Sequence, residues 1–213
     1  MVEKEESVPV ENGSGTRRTL PASTIATIPS MDTSATPDLR YPIGPPVLPD
    51  ETLERGARTA YMAHLATLPD QVRAAVAGLT PEQLDTPYRP EGWTVRQLIH
   101  HLPDSHLNAY TRFRLALTED NPAIKPYDEA AWAELPDVAA TPPAVSLALL
   151  EALHIRWVRL LRNLTDAQWE RTFVHPETKR VFTLDQALVL YSWHGRHHLA
   201  HIAHLVQRKG WRK

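Results

Sequence analysis

The sequence predicts an all-α fold, with most of the chain in amphipathic helices. Three observations carry this. Apolar residues recur at three- and four-residue spacing over long stretches, two of those stretches open on a Thr-x-x-Gln capping box, and only Arg171–Phe182 reads as strand. With 213 residues, 42% of them hydrophobic, the chain can bury one sizeable core, so a single domain with a tail is expected.

Residues 1–39 contain no aromatic side chain and are rich in Ser, Thr, Pro and charge, which predicts a disordered N-terminal tail. The domain is expected over 40–213, led by the stiff segment Tyr41-Pro42-Ile43-Gly44-Pro45-Pro46. Ala57, Ala60, Tyr61, His64 and Leu65 fall at helical spacing, so a helix is expected over about 51–68. Pro69 should lie just past its end, with a second short helix over about 70–78 stopped by Gly78. Thr80-Pro81 opens a turn.

The capping box Thr94/Gln97 starts a helix running to about 117, with a kink expected at Pro103. Residues 118–141, punctuated by Pro122, Pro126 and Pro136, read as a long ordered connection with a helical turn at Asp128–Glu134. Val145–Leu164 is the longest apolar helix, its inner stripe predicted as Leu149, Leu153, Trp157 and Leu160. Thr165 caps a further turn. Residues flanking His175-Pro176-Glu177 predict a small hairpin, and the capping box Thr183/Gln186 opens the last helix, to about 208.

The net charge of −2 argues against a nucleic-acid partner or an anionic membrane partner. Cysteine is absent, so disulfides, a thiolate nucleophile and Cys-based zinc sites are excluded, and any metal must be held by His, Asp or Glu. The N-terminus lacks the basic and apolar regions of a secretory signal, and a cytoplasmic location is expected.

Five of the eleven histidines fall between 194 and 204. At about 100° per residue, His194 and His198 lie inside the apolar stripe of the last helix, His197 and His204 lie at its polar edge, and His201 is intermediate. Two histidines four residues apart share a face and can aim at one ion. Either a metal or two separately hydrogen-bonded core imidazoles explains this pair. A third ligand would come from another helix, with His64, His100, His101, His106, His154 and His175 as candidates. Periodicity leaves His101 and His106 unresolved and turns His100 away from the core.

The segments Gly92-Trp93-Thr94-Val95-Arg96-Gln97-Leu98-Ile99-His100-His101-Leu102 and Trp193-His194-Gly195-Arg196-His197-His198-Leu199-Ala200-His201-Ile202 resemble signatures of the YfiT group within the DinB superfamily. So do Asp104-Ser105-His106, Leu117 through Pro122, Tyr127-Asp128-Glu129, Trp132 through Leu135 and Arg156-Trp157; the resemblance covers about residues 40 to 205. It implies a four-helix bundle with a long ordered loop and a small hairpin, assembled as a homodimer. One nickel or zinc ion per chain would be held by His101, His194 and His198. Pro103 departs from the pattern, where a helix former is expected.

The resemblance also implies activity as a metal-dependent hydrolase, or S-transfer with a low-molecular-weight thiol such as bacillithiol as co-substrate. Three imidazoles leave coordination positions open, as in a catalytic site. Asp104, Tyr127 and Glu134 are candidate catalytic assistants, although each is more readily read as an ordinary capping or solvated residue. A non-catalytic metal-binding protein, with His197, His201 and His204 as a secondary patch, is the alternative of a different class.

Overall fold

A computed structural model describes residues 38–211, and the expected tail falls almost wholly outside them. The elements are α1 (Arg55–Val76), α2 (Pro81–Leu84), α3 (Val95–Thr118), α4 (Glu129–Ala133), α5 (Pro136–Ala140), α6 (Pro143–Leu161), α7 (Asp166–Trp169), β1 (Thr172–His175), β2 (Arg180–Thr183) and α8 (Leu184–Arg208). The four long helices form a bundle in which α1 packs on α8 and α6, and α3 packs on α6 and α8. No single helix among the described residues is long and apolar enough to cross a membrane.

Both predicted capping boxes form. Thr94 Oγ1 accepts from Gln97 N–H at 3.1 Å and Thr183 Oγ1 from Gln186 N–H at 3.2 Å, so α3 and α8 start where the sequence places them. Gln97 also donates to the Ala133 carbonyl at 3.2 Å and to Glu134 at 2.8 Å, tethering the long loop to the mouth of α3. That loop contains two short helices, α4 at the expected position and α5, which was not expected. Its earlier part lies along the hairpin, where Ile124 N–H donates to the Val174 carbonyl at 3.0 Å and Val174 N–H to the Pro122 carbonyl at 2.9 Å.

Three expectations are corrected. The first helix does not end before Pro69 but runs through it to Val76, because Leu65, Leu68, Val72 and Val76 form one continuous buried stripe whose packing outweighs the missing backbone bond. The inner stripe of α6 is Leu147, Leu150, Leu153, His154, Trp157, Val158 and Leu161, while Leu149 is 45% exposed. His197 is buried rather than at a polar edge, because the lead-in covers that side of α8 and puts the Tyr41 ring 6.0 Å from it. α3, like α1, continues through its internal proline.

The core is two apolar clusters. One gathers Phe113, Trp157, Leu184 and Leu188 near the hairpin, and the other gathers Leu68, Leu98, Leu102, Leu150 and Ile202. Along α3 and α8 the residues between the two include His106 on the first helix and His194 and His198 on the second, with His101 bordering it, so these imidazoles lie in the seam. At the hairpin end, buried Arg58 grips Asp185 at 2.8 and 2.9 Å and Asp166 at 2.7 Å, joining α1, α7 and the first turn of α8.

α1 and α8 approach closely beside His194. A Cβ on Gly195 would lie 2.3 Å from Leu68 Cδ2, and Leu68 is only 1% exposed. Replacing a mid-helix glycine by alanine ordinarily stabilises by about 0.5–1 kcal/mol. Here Gly195→Ala is expected to destabilise by about 1–3 kcal/mol through overpacking, read as a lower melting temperature; a raised one would contradict the close approach.

Candidate metal centre

His101 from α3 and His194 and His198 from α8 meet in the seam. Nε2 of His194 lies 3.2 Å from Nε2 of His101 and 3.1 Å from Nε2 of His198. One ring nitrogen of each residue lies within 4.8 Å of the other two. Metal–nitrogen bonds of about 2.0–2.1 Å at angles between octahedral and tetrahedral place ligand nitrogens about 2.9–3.4 Å apart, so the two measured separations fit a shared ion. The trio are the residues expected as ligands. The Trp93 ring lies 4.6 Å from that of His101, an aromatic wall on one side of the site.

His106 is the fourth imidazole of this cluster, and it acts on His194 rather than joining the trio. Its Nε2 lies 3.1 Å from His194 Nδ1, its Nδ1 lies 2.8 Å from His154 Nε2, and His154 Nδ1 lies 2.6 Å from the Leu65 carbonyl. A carbonyl can only accept, so His154 Nδ1 carries the hydrogen. Burial holds all three imidazoles below the usual histidine pKa, His154 down to about 4, so each ring carries one proton. His154 Nε2 must then accept from His106 Nδ1–H, and His106 Nε2 from His194 Nδ1–H. The end of the chain is a lone pair on His194 Nε2, aimed at His101 and His198, the tautomer a metal ligand needs.

The anchor of this chain is supplied by Pro69. In α1 the Leu65 carbonyl would ordinarily accept from the N–H of residue 69, and proline has none. The carbonyl is therefore free for His154. This relay was missed in the sequence, although His154 stands four residues from Leu150 and three from Trp157 on the true inner face of α6, and that spacing was the available signal.

The remaining candidate ligands serve elsewhere. His100, expected to face away from the core, is instead buried, because α6 packs on that side of α3 and puts Ser146 Oγ 2.7 Å from it, and His64 lies 3.0 Å from Ser192 Oγ. His175 ends β1. Of the expected assistants, Asp104 lies one helical turn beyond His101, and burial followed by the charge of Asp137 raises its carboxyl to about 6. Burial also raises the Tyr127 phenol, so it stays protonated. Glu134 is exposed and bonded to Gln97, and no hydrogen bond or ion pair among the described residues joins it to the imidazoles. On the hairpin side, Arg112 donates to Tyr191 Oη at 2.6 Å, and the Tyr191 ring is 6.0 Å from that of His194.

Comparison with known proteins identifies the family. Residues 64–202 match the model of the DinB superfamily. The chain is 52% identical over 174 residues to a Bacillus subtilis (strain 168) protein named "Putative metal-dependent hydrolase YfiT", covering 82% of this chain and 97% of that one. It is 49% identical over 178 residues to a Bacillus mycoides (strain KBAB4) protein with the same general name, covering 82% and 99%. The solved structure of YfiT from Bacillus subtilis, described as "a probable metal-dependent hydrolase with an unusual four-helix bundle topology", superposes with a TM-score of 0.80 at 52% identity, covering 82% of this chain and 99% of that one.

Two outcomes are expected. His106→Leu breaks the relay while keeping the site's bulk, and divalent-metal affinity measured by competition with a chelator should fall about 10–100-fold; unchanged affinity would remove the relay from the site. Second, the metal-free protein should lose stability as pH falls below 6.5. Burial holds His101 at about 3 and His197 at about 4, so between those values and 6.5 the unfolded chain binds protons that the native state does not. Each such imidazole then contributes a slope of up to about 1.4 kcal/mol per pH unit. Urea midpoints that stay flat between pH 7 and 5 would contradict this burial.

Proposed function

The chain belongs to the DinB superfamily, and on that premise we propose that it is a metal-dependent hydrolase of the YfiT type, with His101, His194 and His198 holding one nickel or zinc ion. The observation that carries the reading is the convergence of three Nε2 atoms from two helices on one point in the seam of the core. Imidazole donors suit either metal. Once bound by three neutral ligands, such an ion supplies Lewis acidity and brings the pKa of a coordinated water to about 7.

The chain's own groups supply the rest. The relay keeps His194 in the ligating tautomer throughout. Asp104, with its carboxyl near 6, is the proposed general base, able to hold a proton and return it to a leaving group. Tyr127, protonated at working pH, is the proposed donor to a developing oxyanion. The long loop, tied to α3 by Gln97 and to β1 by Ile124, is proposed to exclude water from this side.

A second reading, S-transfer using a low-molecular-weight thiol of the bacillithiol kind, is favoured by Arg112. Its guanidinium donates to Tyr191 beside His194, and its charge also acts on the Glu129 carboxyl, so an anionic co-substrate would meet a cationic group there. The absence of cysteine is compatible with a thiol supplied from outside. A homodimer is also proposed, supported by Val145, Leu149 and Ile155, which are 55%, 45% and 49% exposed on α6.

His101→Ala is expected to lose the active-site ion and to lower kcat/KM on an ester and amide panel by more than about 100-fold. Asp104→Asn should remove the fall in rate that the wild type shows below about pH 6. Thiol conjugation to an electrophile without any hydrolysis would replace the hydrolase reading with the transferase one.

A further inference from the structure

We propose that His197, His198 and His201 form a second divalent-cation site on α8, adjoining the first and sharing His198 with it. One ring nitrogen of each lies within 4.8 Å of the other two. The three residues are 4%, 1% and 2% exposed. Nδ1 of every one is buried with no hydrogen-bond partner among the described residues. A buried polar atom left unpaired costs about 1–3 kcal/mol, and three such rings grouped on one helix call for an occupant that satisfies them.

The rings are held in place. Trp193 stacks on His197 at 4.4 Å and 21°, and Tyr88 stacks on His201 at 3.9 Å and 22°. His201 Nε2–H donates to the Arg40 carbonyl at 3.3 Å, so its Nδ1 is the lone pair and faces no other acceptor or donor. Residues 197 and 201 are four apart and 198 and 201 three apart, the spacings at which helical side chains meet. The chemistry favours a cation that accepts imidazole donors, such as zinc, nickel or copper(II).

His198 is the link between the sites. Its Nε2 belongs to the first trio, so in the neutral ring Nδ1 carries the hydrogen. A second ion at Nδ1 displaces that proton to solvent, and the resulting imidazolate, with one negative charge, lies between the two cations and offsets part of their repulsion. This inference stands apart from the hydrolase reading, since His197, His198 and His201 could hold an ion through a neutral His198 even if the first site were empty.

Equilibrium dialysis of the metal-free full-length protein against Zn²⁺ tests it. The wild type is expected to take two equivalents per chain, the second with release of one proton, while H197N/H201N and His101→Ala each take one. Loaded with two Cu²⁺, the wild type should show a magnetically coupled pair in its electron paramagnetic resonance spectrum, a readout that needs no variant. One equivalent in the wild type, with none in His101→Ala, overturns the second site and leaves the first. Two equivalents persisting in H197N/H201N overturn it as well, because the extra ion then lies elsewhere, and two uncoupled Cu²⁺ signals overturn the sharing of His198.

Discussion

The structure depends on a single backbone carbonyl that can only accept. Leu65 O, released from the α1 ladder by Pro69, takes a hydrogen from His154, and from that anchor the proton positions on His106 and His194 follow in turn. Were the chain anchored instead on a hydroxyl, which both donates and accepts, the tautomers could flip together and the lone pair at the site would be lost. The arrangement spans all four long helices. A proline that looks like a helix terminator in sequence is thus the residue that gives the polar seam its direction.

That seam explains the shape of the core. Two apolar clusters could have merged into one, and separating them by a layer of buried imidazoles costs hydrophobic contact and leaves polar atoms to be paired. Most are paired within the relay or with serines on neighbouring helices. Among the described residues, His100 Nε2 on α3 and His175 Nδ1 on β1 are left over, and three more unpaired nitrogens lie on α8, on His197, His198 and His201. A layer of this kind makes the bundle sensitive to acid, because the unfolded chain gains protons that the folded one refuses.

The loop and hairpin follow from the same seam. A bundle of four helices alone would leave its mid-level open on the side of α3, and the 119–141 segment closes this side with two short helices, tied at one end to Gln97 and at the other to β1. Arg171 adds bonds to the carbonyls of Ala116 and Glu119, joining the start of the hairpin to the end of α3. Tyr127 is carried by this attached segment, whereas Asp104 and Arg112 belong to α3 of the bundle.

What the sequence by itself determined is local: the starts of α3 and α8, set by Thr94/Gln97 and Thr183/Gln186, the hairpin, and the shared face of His194 and His198. Each rests on residues within one or two turns of one another, where spacing dictates geometry. Resemblance to a family added His101, which periodicity could not separate from His106, since both lie near the same stripe of α3. The tertiary structure alone decided that α1 continues through Pro69, that α6 turns His154 inward, that the lead-in buries His197, and that three imidazoles line up from a carbonyl, the last of them a candidate ligand. Those facts depend on which faces of distant helices meet, and burial against a partner overrides the helix-breaking and polar tendencies that a single segment shows.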